Sequence, residues 1–128
     1  MKILFVFLLL FSTLDASHVR WRANYAKALR QSIKEDKILM VLLVKHDCKK
    51  CNDVIKNVFM NKPYIDKLNK KVVAVIVTQD HKVNYPFELF YSNRFPTLFF
   101  LNHEEIFITK PMRGNIDVDE IKKTVFDK

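Results

Sequence analysis

The sequence predicts an α/β domain, with a central mixed sheet and helices on both faces. Three observations carry this. Ile38–Val44 is an unbroken run of seven apolar residues, the length of a strand. A strand with no polar face belongs in the middle of a sheet covered on both sides. Lys71–Thr78, KVVAVIVT, reads as a second buried strand, and the residues between the two follow a helical period, which implies a right-handed crossover and a parallel pair. Late in the chain Leu98–Leu101 and Ile106–Thr109 flank a polar turn, Asn102–Glu105, and predict an antiparallel hairpin.

The remaining elements follow in order. Trp21, Tyr25, Ala28, Leu29 and Ile33 share one helical face, with Arg20, Arg22, Lys27, Arg30 and Lys34 mostly off it, so an amphipathic helix should end near Glu35-Asp36-Lys37. After the first strand, Val54, Ile55, Val58 and Phe59 mark a helix running to Met60. Pro63 suits the first turn of a short helix over 64–69. Gln79–Pro86 reads as a polar loop, and Phe87–Asn93 as a short helix with Phe87, Phe90 and Tyr91 as its apolar positions. Gly114, the only glycine, should supply a backbone conformation that other residues resist. Asp117, with Glu120 three residues on, caps a final helix that turns Ile121 and Val125 inward.

Cys48 and Cys51 are the only cysteines, and they stand where the first strand gives way to a helix. Residues three apart on a helix share a face, so the two sulfurs can close a small ring. Cys48, at the helix start, meets unpaired N–H groups whose partial positive charge favours thiolate. Lys49, Lys50 and His46 add positive charge around it and would tune the thiol further. Cys48 is then the expected nucleophile and Cys51, deeper in, the resolving thiol. His46 with the two cysteines also suits zinc or copper, although no fourth ligand is near in sequence. A module that binds partners without turning over its dithiol is a third reading.

Parallel strands first, a hairpin last, C-x-x-C at the first strand–helix junction and Phe95-Pro96-Thr97 ahead of the hairpin: this pattern resembles the thioredoxin fold. The opening Trp21, Tyr25 and Ala28 is similar to the exported thioredoxin-like branch that begins W-x-x-x-[YF]-x-x-A, and the likeness spans about residues 20–126. The resemblance implies a thiol:disulfide oxidoreductase acting on protein thiols and disulfides without metal or organic cofactor. It implies Pro96 as a cis-proline beside the dithiol, with Phe95, Pro96 and Thr97 contacting substrate. It also implies a membrane electron donor or acceptor, with a slight lean to reductase, and a monomer. Two departures stand out. Lys49-Lys50 replace the Gly-Pro of ordinary thioredoxins between the cysteines, and Leu42 stands where they carry a buried Asp.

With 128 residues, 49% of them hydrophobic, one small domain is expected. Met1-Lys2, nine apolar residues over Ile3–Phe11 and a short polar end predict a signal peptide over 1–16, followed by the domain over 17–128. Nine residues is well short of the roughly 20 that span a bilayer, so export, to a bacterial periplasm, is the expectation. Cleavage would remove Lys2 and Asp15 and leave the net charge at +8. That charge is scattered rather than interleaved with aromatics, which argues against nucleic acid and for a solvated basic surface.

Overall fold

The structure, a computed structural model, describes residues 17–127. The expected signal peptide lies outside the described residues. The order is β1 (Trp21–Arg22), α1 (Tyr25–Glu35), β2 (Ile38–Val44), α2 (Lys49–Val58), α3 (Ile65–Lys71), β3 (Val72–Thr78), β4 (Thr97–Leu101), β5 (Met112–Arg113) and α4 (Val118–Phe126). The sheet order is β1-β3-β2-β4-β5. β2 runs parallel to β3 along its whole length, Ile38 opposite Val72 through Val44 opposite Thr78, and antiparallel to β4. The expected mixed sheet is therefore present, with its hairpin at one edge.

Alternation along the strands builds two cores. Met40, Leu42, Ala74, Leu98 and Phe100 point to one face, where Phe59, Leu68, Ile121 and Val125 cover them. Leu39, Val41, Leu43, Val75, Phe99 and Leu101 point to the other, under Tyr25 and Ala28 of α1 and Tyr85 and Phe90 of the loop after β3. Period-two alternation in strands that are apolar throughout thus serves helices on both faces.

Several boundaries differ from expectation. Trp21 belongs to β1, opposite Ala74, and not to the helix. The Asn24 side chain accepts from the Lys27 N–H and caps α1, so the helix starts at Tyr25. Trp21 still anchors the core, its ring edge-on to Phe59 at 5.1 Å. Ile33 is 47% exposed, while Ser32 turns inward and donates to the Leu29 carbonyl. α2 stops at Val58, and Met60 pairs with His18 in an isolated bridge. The short helix after Pro63 runs over Ile65–Lys71.

The expected helix over 87–93 is a series of turns. Of its three aromatics only Phe90 is buried; Phe87 and Tyr91 are 44% and 74% exposed, so no helical face packs against the sheet. The hairpin's return arm is also displaced. Over 106–109 only Phe107 bridges to Leu101, and the ladder resumes at β5, with Met112 opposite Leu98 and Arg113 opposite Thr97. Pro111, which has no N–H to give a ladder, stands between the two.

Candidate active site

β2 delivers the chain to the C-terminal end of the sheet, and Lys45, His46 and Asp47 turn it into α2. Asp47 takes the left-handed conformation, φ 53°, a region that Asp tolerates better than most residues. Cys48 is the N-cap of α2: its backbone is extended and its Sγ accepts from the Cys51 N–H at 3.0 Å. The sulfur thus takes the place of the oxygen that caps most helices. The two cysteines are joined by a disulfide, with their Cα atoms 5.2 Å apart. Cys48 is the outer of the pair, 9% exposed against 2% for Cys51.

Around this junction lysines outnumber carboxylates, with Lys45, Lys49 and Lys50 against Asp47 and Asp53. Lys49 is exposed and pairs with Asp53 at 3.4 Å along the helix. His46 and Asp47, both exposed, approach to 3.9 Å. Among the described residues no three His, Cys, Asp or Glu side chains converge as a metal-binding group. Leu42 is fully buried on the face covered by α2, so the position that the sequence resemblance singles out holds an aliphatic side chain packed in the core.

The second half of the site comes from the loop before β4. The Phe95–Pro96 bond is cis, and Pro96 is buried. Thr97 begins β4 opposite Leu43, one residue short of the end of β2, and this register carries Pro96 to the same end of the sheet as the cysteines. Lys45 Nζ lies 5.3 Å over the Phe95 ring and closes the gap between the two segments. The Gly114 N–H donates to the Pro96 carbonyl at 2.8 Å, and Gly114 has φ 79°, as its being the only glycine suggested.

Thr97 is fully buried, and its hydroxyl is engaged with the Arg94 carbonyl and with Ser92 Oγ at 2.8 Å. Ser92 Oγ also accepts from the Arg94 N–H. Sequence reasoning singled out Phe95, Pro96 and Thr97 but missed Ser92 and Arg94, which shape the loop that presents them. The available signal was a serine two residues before Arg94 in a segment rich in turn formers.

No family model matches the chain, and no curated protein matches it. Solved structures do. A protein of Bacteroides thetaiotaomicron assigned as a disulphide-isomerase superposes with a TM-score of 0.72 at 22% identity, over 89% of this chain and 98% of that one. An oxidoreductase, DsbH, follows at 0.65 and 18%, over 88% of each chain. A thioredoxin from Thermus thermophilus gives 0.63 and 20%, over 83% of each. The chain has a thioredoxin fold. The solved proteins that share it are thioredoxin-like, disulphide-isomerase and oxidoreductase by name, and this chain has its own cysteine pair at C-x-x-C spacing.

Proposed function

We propose that the protein is an exported thiol:disulfide oxidoreductase acting on protein substrates. The observation that carries this is the disulfide between Cys48 and Cys51 at the start of α2, with the Cys51 N–H donating to Cys48 Sγ. In the reduced form the Cys48 thiolate attacks one sulfur of a substrate disulfide. A mixed disulfide forms and the other substrate sulfur leaves as a thiolate that takes up a proton. Cys51, deprotonated, then attacks Cys48 Sγ and releases the second substrate thiol. The substrate gains two electrons and the protein loses two, so thiols alone carry the chemistry.

The remaining roles divide by position. The N-terminus of α2, Lys49, Lys50 and His46 favour the Cys48 thiolate. Phe95 and Pro96 hold the substrate segment beside it, while Thr97, buried behind them, fixes the loop through its hydroxyl. With Leu42 in place of a carboxylate, the Cys51 proton goes to water or to the leaving substrate thiol. The direction we favour is reduction, with electrons drawn from a membrane donor. The apolar run over 3–11 supports export to a periplasm and cleavage near Ala16, leaving a domain over 17–128; that this domain works as a monomer rests on the sequence resemblance alone.

Two measurements test this. Cys51→Ser should accumulate mixed disulfides through Cys48 in an extract, and Cys48→Ser should not; no trapped species from either variant would sink the reading. The reduction potential of the pair, titrated against glutathione or dithiothreitol, decides direction. A value near −270 mV, roughly that of thioredoxins, supports the reductase; one near roughly −120 mV makes the protein a disulfide donor.

A further inference from the structure

The chain's basic side chains are of two kinds, a few held in ion pairs and most of them not. Lys37 pairs with Glu35 and Lys123 with Glu120, and on the cysteine helix Lys49 pairs with Asp53. Among the described residues Lys50 and Arg94 have no carboxylate partner. Both approach Gly114. A Cβ at Gly114 would lie 3.8 Å from Lys50 Nζ, 3.6 Å from Arg94 Cβ and 3.8 Å from Arg94 Cδ. Two exposed cationic side chains from different segments therefore fold over the same backbone point, the one whose N–H is bonded to Pro96.

Lys50 stands two residues beyond Cys48 and Arg94 two residues before Pro96. Gly114, which both side chains approach, is itself bonded to the Pro96 carbonyl, so the two cations lie beside the proline half of the site. Beyond Lys50 a groove continues between α2 and the loop after β5, lined by Val54, Asn57, Val58, Asn115 and Ile116 and by Asp53, whose carboxylate is paired with Lys49. It offers polypeptide, rather than a small disulfide, room to extend.

We infer that Lys50 and Arg94 form a recognition point for an acidic residue next to the reacting cysteine of the substrate protein. This rests on the exchange reading above and gives it a substrate class. Two cationic side chains converging on one backbone point raise the local potential, and a carboxylate arriving there is attracted by both. The preference should weaken with salt, because both groups are exposed.

The test uses the reduced protein and three synthetic peptides, each with one cysteine activated as a 2-pyridyl disulfide. The residues flanking the cysteine are two Glu, two Gln or two Lys. Attack by Cys48 forms the mixed disulfide and expels pyridine-2-thione, whose absorbance gives the rate. The readout is the ratio of rates for one protein variant, so changes in the thiol's own reactivity cancel.

At about 20 mM salt the Glu peptide should react on the order of tenfold faster than the Gln peptide, and the Lys peptide slower than either. The gap should close to within about twofold at about 0.5 M salt. Lys50→Gln and Arg94→Gln should each cut the ratio several-fold, and together bring it near one. Lys67→Gln, which removes an equal charge far from the site, should leave the ratio intact. Equal rates for all three peptides would overturn the substrate preference and leave the exchange reading standing. A ratio that falls as much with Lys67→Gln would assign the effect to net charge and overturn the Lys50–Arg94 point. If no peptide reacted, the exchange reading would fall and this inference with it.

Discussion

Ser92 and Thr97 are small polar residues, yet they set the shape of the loop that presents the cis-proline. Ser92 Oγ is shared among Thr97 Oγ1, in a buried contact, and the Arg94 N–H and carbonyl, in part-buried ones. Ser92→Ala leaves the Arg94 N–H without that acceptor and should cost about 1–2 kcal/mol. Thermal unfolding checks this: a midpoint lowered by roughly 5 °C is expected. The rate with a protein substrate should fall several-fold as well, since Phe95 and Pro96 follow directly. At this scale the sequence was uneven to read. Cys48, Cys51 and Pro96 announce themselves by residue type and spacing. Ser92, by contrast, looks like any loop serine, because a hydroxyl's importance depends on burial, and burial is decided by elements far away in the chain.

Among the elements, β2 and β3 were legible because seven consecutive apolar residues leave a strand few alternatives to the middle of a sheet. The segment after β3 was not. Phe87, Phe90 and Tyr91 fit a helical spacing, but a spacing predicts a helix only when its face is buried. Here Phe90 alone enters the core, within 5.0–6.3 Å of the ring centroids of Tyr25, Tyr85, Phe99 and Phe107. It pins an otherwise irregular loop. Phe90→Ala should therefore cost about 3–5 kcal/mol, whereas Phe87→Ala, at an exposed ring, should cost under about 1 kcal/mol. Urea unfolding of the two variants would separate this arrangement from a helix burying all three rings, in which both losses would be large. The return arm of the hairpin shows the same limit: Ile106–Thr109 has strand composition, but pairing was settled by Pro111 and by which carbonyls of β4 remained open.

Across the whole molecule, alkaline stability depends on phenols that the two cores hold. Burial pushes Tyr64 up to about 12, and its hydroxyl donates to the Val58 carbonyl, tying the N-terminus of α3 to the end of α2. Burial, and then the Glu105 carboxylate that accepts its hydroxyl, also raise Tyr25. Because the folded values exceed the unfolded one, near 10, this stability is complete below about pH 10 and is lost as pH rises through about 12. Unfolding free energy should fall across that window, and Tyr64→Phe should make the fall shallower while costing about 1 kcal/mol at neutral pH. The approach of both Lys50 and Arg94 to Gly114 also belongs to this scale: it depends on the fold bringing α2, the loop before β4 and Gly114 to one place, which no local pattern reveals. The disulfide has a consequence at this scale too. Cys48 and Cys51 lie within one turn of one helix, so their bond ties no strand to a helix and no helix to another. Two electrons can enter or leave while every strand register stays as it is. If the protein exchanges disulfides as proposed, it would work as a rigid electrode, and a partner telling its charged state from its spent one would have a single helical turn, and the cations around it, to read.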